Sequence, residues 1–117
     1  GDTEDVGYLE KLVNAGSYIG MDRFGIDMYM PTDKRVATIV KLCERGHANK
    51  IVLSHDTSCY IDWFPEEMIK SAAPRWHYLH IPDDVVPALN ASGVPADQIE
   101  AMTTGNPRRI FEAQGGY

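Results

Sequence analysis

The segment Ile51-Val52-Leu53-Ser54-His55-Asp56 sets an imidazole and an acid shortly after three aliphatic residues. Such a run reads as a strand over residues 51–54, buried on both faces as in a parallel sheet. Enzymes with α/β folds place their chemistry at the carboxyl ends of such strands. There Asp56 offers oxygens for a divalent cation and a base that accepts a proton during hydrolysis. The plain alternative is a strand-ending aspartate that caps the next turn. Side chains alternate along a strand, so an inward Asp56 turns His55 outward to a structural role. His47, His77 and His80 share no ligand-like spacing with Asp56 and read as surface or packing residues. Arg23 follows a second short strand, Tyr18 to Met21. Its guanidinium suits a substrate carbonyl or an ion pair with Asp22 or Asp27, and spacing does not choose between them. Tyr60, Trp63 and Phe64 suit an acyl chain in an apolar pocket, a small core within their loop, or a dimer contact. Cys59 has no histidine placed to activate it and reads as a packing residue.

The elements that must hold these groups alternate. Val6, Leu9, Leu12 and Val13 predict an amphipathic helix over residues 4–15, capped by Thr3 or Asp2 and stopped at Gly16. After the strand at 18–21, Pro31 opens a second helix whose buried stripe is Val36, Ile39, Val40 and Cys43, with Gly46 as its stop. The strand at 51–54 follows. Helix, glycine, strand and polar strand end thus occur twice, which predicts parallel strands with helices packed outside. A doubly wound sheet and a (β/α)8 barrel both satisfy that pattern. Residues 57–74 form a loop dense in aromatics, with a helical turn or two at 66–71, too long to be an idle connection. Beyond it, Pro82 opens a helix to about Asn90 and a second covers Ala96 to Met102. Asn106-Pro107 caps a third that runs through Phe111, and the tail 114–117 is expected to fray.

The 117 residues allow one domain with a modest core. The net charge of −6 gives no electrostatic footprint for nucleic acid or an anionic membrane. No apolar run approaches the ~20 residues of a membrane span, and no signal peptide is visible. Cys43 and Cys59 match no paired-cysteine spacing, so reduced thiols in a cytoplasmic protein are expected. The opening at Gly1, without an initiator Met, suggests a chain cut from something larger.

Gly1-Asp2-Thr3, Ile19 through Gly25, Pro31 through Arg35, Ser54-His55-Asp56, Cys59 through Trp63, Ala73 through Trp76 and Asn106-Pro107 lie in register along nearly the whole chain. Together they resemble the phosphotriesterase family, and most closely its lactonase branch, in the C-terminal part of the catalytic domain. The resemblance implies strands seven and eight of a (β/α)8 barrel with their helices, so that residues 1–117 are the C-terminal segment of one metal-dependent hydrolase domain. It implies two divalent metal ions, zinc or else iron, cobalt or manganese, with Asp56 as a ligand and catalytic residue beside the activated hydroxide. Arg23 stands at the mouth of the site where phosphotriesterases proper carry a histidine, which favours the lactonase branch. Tyr60 and Trp63 would meet the substrate, an acyl-homoserine or related lactone or a phosphotriester, and Trp63 also a homodimer interface. The family's remaining ligands fall outside this sequence. The competing reading is a non-catalytic segment that associates through unpaired strands, leaving Ile19, Met21, Val52 and Ser54 without opposing layers.

Overall fold

In the computed structural model, which describes residues 1–113, two short strands pair in parallel beneath a layer of helices. Helix α1 spans Val6–Asn14, strand β1 Ile19–Met21, helix α2 Thr32–Glu44 and strand β2 Ile51–Leu53. Ile19 stands opposite Ile51 and Met21 opposite Leu53. The two helix–strand repeats predicted from the glycine stops are therefore present and adjacent. Their caps differ from expectation. Asp5 caps α1 by accepting from the Tyr8 amide at 2.9 Å, while Thr3 and Asp2 are engaged elsewhere. Pro31 precedes α2, and Asp27 caps it instead, accepting from the Thr32 amide at 2.9 Å.

Ile19, Met21 and Ile51 all turn toward the helices, where Ile39, Leu42, Val85, Leu89 and Met102 close over them without solvent access. Ile19 and Met21 therefore have their covering layer, contrary to expectation. Gly20 and Val52 share the opposite face, where Gly20 is exposed and Val52 half-buried. Strand β2 is accordingly not buried on both sides: the second layer that would cover it is not among the described residues. A radius of gyration of 14.8 Å, against about 13 Å for a compact chain of this length, reflects that openness.

After β2, helix α3 covers Glu66–Ala72 with none of its residues buried. A π-helical turn at Ile81–Val85 then leads into α4, Val86–Ala91. Helix α5, Ala96–Glu100, runs through a second π-helical turn at Ala101–Gly105 into α6, Asn106–Glu112. Helix α6 begins at Asn106 with Pro107 in its first turn, as expected. The preceding Gly105 is already helical, however, so Asn106 is not a cap and the chain runs on from α5. The wider turn absorbs the missing proline N–H, as π-bulges do. Asn106 is fully buried and spends its amide on the entry to β2, donating to Ala48 O at 2.8 Å and Ile51 O at 2.7 Å. The expected fraying at 114–117 falls outside the described residues.

Candidate functional site

The two strands deliver their following loops side by side. Ser54 N donates to Met21 O at 3.0 Å, so backbone pairing continues one step past the strands. Both loops then turn through the left-handed region at a non-glycine residue, Arg23 with φ 59° and Asp56 with φ 56°. That conformation is uncommon for such residues and persists only where surrounding contacts fix it. Arg23 and Asp56 border one open cavity of about 680 Å³, together with Tyr29, Tyr60, Trp63 and Met68. The four residues singled out from the sequence, Arg23, Asp56, Tyr60 and Trp63, thus meet at a single hollow.

Their chemical states differ. Asp56 is exposed, and its carboxylate makes no hydrogen bond or ion pair among the described residues; only its amide is engaged, donating to Ser54 Oγ at 3.2 Å. Arg23 pairs with Asp2 at 2.5 Å and lies over the Tyr29 ring at 5.4 Å, rather than pairing with Asp22 or Asp27. Tyr60 and Trp63 are 80% and 79% exposed, so they do not fold into a core of their own loop. His55 is half-buried, its Nδ1 accepting from the Thr57 amide at 3.0 Å and its ring meeting Tyr78 edge-on. Cys59 is exposed beside a neighbouring hollow of about 570 Å³. Cys43 is buried in α2, where desolvation and then nearby Glu44 push its thiol up to about 11, leaving it protonated and inert at neutral pH.

What holds these groups in place was largely invisible in the sequence. Arg35, on α2, has no solvent access. Its Nε donates to Met30 O at 3.1 Å, its Nη1 to Gly1 O at 2.8 Å and Asp22 O at 2.9 Å, and its Nη2 to Asp2 Oδ1 at 2.6 Å. One guanidinium therefore fixes the end of β1 and the carboxylate that positions Arg23. Asp27 is a second anchor, accepting from Thr32 and pairing with Arg75. Partial burial raises its pKa, but the Thr32 and Arg75 hydrogen bonds outweigh that and hold it below the ordinary carboxylate value. Gly25, at φ 97°, lets the backbone of Arg75 and Trp76 pass close by: a Cβ there would sit 2.7 Å from the Arg75 carbonyl carbon and 2.8 Å from Trp76 Cα. Trp76 Nε1 donates to His55 O at 2.7 Å. The long loop thus leaves β2 and returns to it across a single side chain.

The sequence profile of the phosphotriesterase family matches residues 1–111. The chain belongs to the phosphotriesterase family. It is 59% identical to a phosphotriesterase homology protein of Mycobacterium tuberculosis over all 117 residues, and covers 36% of that relative. It is 39% identical to an aryldialkylphosphatase of Saccharolobus solfataricus over 113 residues, covering 95% of this chain and 36% of the relative. The structure of the phosphotriesterase from Mycobacterium tuberculosis superposes with a TM-score of 0.95, over 99% of this chain and 36% of that one. A 34% identical structure, described as organophosphate hydrolysis engineered from a weak promiscuous lactonase, superposes with a TM-score of 0.79 over 93% of this chain and 36% of its own. The chain spans about a third of these relatives' length, and corresponds to the C-terminal part of the family's TIM barrel. Its relatives are hydrolases, and no described helix is long and apolar enough to cross a membrane.

Proposed function

We propose that residues 1–117 form the C-terminal segment of one hydrolase barrel, which opens acyl-homoserine or related lactones and cleaves phosphotriesters as a secondary activity. The observation that carries this reading is Asp56: an exposed carboxylate without protein partners, in a constrained backbone, at a strand's carboxyl end beside the cavity. Such a group fits the part of an oxygen ligand for a divalent metal pair, zinc or else iron, cobalt or manganese. Asp56 belongs to no cluster of three or more ligating side chains among the described residues, so the remaining ligands come from the rest of the barrel. When bound, the metals would activate water and polarise the substrate's C=O or P=O. Asp56 also accepts a proton as water attacks, while Arg23, braced by Asp2, donates to the substrate's carbonyl oxygen. Tyr60 and Trp63 present exposed ring faces over which an acyl chain can bury apolar area. Trp63 also extends to a homodimer contact in the full-length enzyme, which we place in the cytoplasm.

In the full-length protein, Asp56→Asn is expected to nearly abolish lactone turnover while the protein stays folded. His55→Asn, which loses the ring bonded to Thr57, is expected to lower melting temperature with kcat retained. Equal losses of kcat in two equally folded variants would refute the assignment. The competing reading, a non-catalytic associating segment, draws on the uncovered Gly20–Val52 face and the two unpaired strand edges.

A further inference from the structure

Donors and acceptors around His80 do not balance. Its imidazole has no solvent access, with Nε2 3.1 Å from Thr32 Oγ1 and Nδ1 2.7 Å from Asp84 Oδ2. Thr32 Oγ1 also lies 2.9 Å from Asp27 Oδ1, a carboxylate oxygen that only accepts. The hydroxyl proton therefore goes to Asp27, and the hydroxyl oxygen accepts from His80 Nε2–H. In a neutral imidazole this leaves a lone pair on Nδ1, aimed at another lone pair on Asp84. Two acceptors that close are held together by a cation between them, either a proton or a metal ion.

A third group favours the metal. One ligand atom each from His77, His80 and Asp84 lies within 4.8 Å of the other two. We propose that His77, His80 Nδ1 and Asp84 bind a divalent transition-metal ion of the zinc class, at a site separate from Asp56. Two imidazoles and a carboxylate are a donor set suited to zinc, with a fourth position left for water. Metal bonds of ~2.0–2.2 Å bring tetrahedral ligand atoms to roughly 3.3 Å apart. His77 is exposed and free to turn inward, and the exposed Asp84 side chain draws back from its 2.7 Å contact by about 0.6 Å to admit the ion, whereas His80 is already fixed. The Nε2–H bond to Thr32, backed by Asp27, is the outer hydrogen bond that sets the tautomer of a metal-bearing histidine. Because Asp27 also pairs with Arg75, an ion here would brace the segment on which the long loop returns.

Crystals of the full-length protein, soaked in zinc chloride, test this by anomalous difference density at the zinc edge. The expected result is a peak about 2.0–2.2 Å from the three ligand atoms in the native protein and none in His77→Ala. Replacing that exposed side chain removes an edge-on ring contact at 5.9 Å but keeps the bonds of His80 to Thr32 and Asp84. In parallel, zinc added to protein already loaded at its barrel centre should raise the melting temperature of the native form but not of His77→Ala or Asp84→Asn. The proposal is overturned if no peak appears with His80 and Asp84 in direct contact, or if the peak persists in His77→Ala. Equal zinc-induced shifts in all three proteins would overturn it as well.

Discussion

Replacing Arg35 by alanine is the sharpest test of how the cavity's edge is held. The substitution removes four hydrogen bonds from a fully buried guanidinium and leaves the Met30, Gly1 and Asp22 carbonyls and the Asp2 carboxylate facing a void. Breaking one side of a buried ion pair costs about 3–5 kcal/mol. Asp2 keeps Arg23 and is 24% exposed, which moves the expectation to the low end, ~3 kcal/mol. For a barrel of the relatives' length, about three times this chain, the unfolding entropy is roughly 0.7 kcal/mol/K at ~2.1 cal/mol/K per residue, so melting should fall by about 4–5 °C. Arg35→Lys should recover part of that loss, because a lysine keeps the charge but cannot present the fork that reaches acceptors on three separate segments. Scanning calorimetry of the full-length protein supplies the stability, and substrate titration supplies the KM. Because Arg35 fixes the carboxylate that braces Arg23, KM should rise in both variants. A drop of less than about 1 kcal/mol for Arg35→Ala would show that the clamp is incidental, and full stability in Arg35→Lys would show that the charge alone matters.

Gly25→Ala forces a Cβ into the backbone of Arg75 and Trp76 at a positive φ, so the left-handed cost of about 1–2 kcal/mol is a floor; proteolysis within residues 57–74 should quicken, and an unchanged cleavage rate would count against the close approach. Asp27 has a folded pKa held below its unfolded value, so the stability it contributes is complete above the unfolded pKa near 3.8 and disappears as pH falls through the lower folded value. Acid denaturation of Asp27→Asn should accordingly show a smaller loss over that window than the native protein, and identical acid limbs would refute it. The isolated 117-residue chain should show no lactone turnover with added zinc, cobalt or manganese, and light scattering should report species heavier than the 13.1 kDa monomer. Chelator-sensitive activity, or a monodisperse monomer with cooperative unfolding, would contradict those two expectations.

The alternation of helices and strands could be read in advance because Val6, Leu9 and Val13, and then Ile39 and Ile51, carry their apolar period openly. Arg23 and Asp56 could be placed because each follows a short apolar run. Arg35 could not. A charged residue beside an apolar stripe reads as solvated, and only the convergence of Gly1, Asp2 and Asp22 makes its burial favourable. In Asn106-Pro107 the asparagine misled as a cap for a different reason, although the helix does begin there. The same dipeptide suits a capped helix start or a π-turn with the asparagine directed inward, and the partners Ala48 and Ile51 that decide the matter lie more than fifty residues away. Likewise Asp2 is a competent cap that Arg23 and Arg35, distant in sequence, draw away, while Thr3 accepts from the Asp5 amide and Asp5 is left to cap. The side of the sheet on which Ile19 and Met21 lie also depended on tertiary packing, since in so short a run alternation separates two faces without naming the inner one.

The closure of the long loop bears on how such a hydrolase changes its diet. Both ends of residues 57–74 are tied down by groups outside them: His55 and Trp76 to each other, Arg75 to Asp27. Nothing between those knots is needed to tie them, and apart from Ala73 the residues there range from half-buried to exposed. The intervening stretch is therefore an exchangeable cassette. Insertions, deletions and new aromatic residues can be traded within it while the strand ends beneath keep their geometry. Selection for a new ester or lactone has a route that leaves the hydrolytic apparatus alone, and a designer who swaps loops between relatives should cut at Thr57 and Pro74, inside the knots.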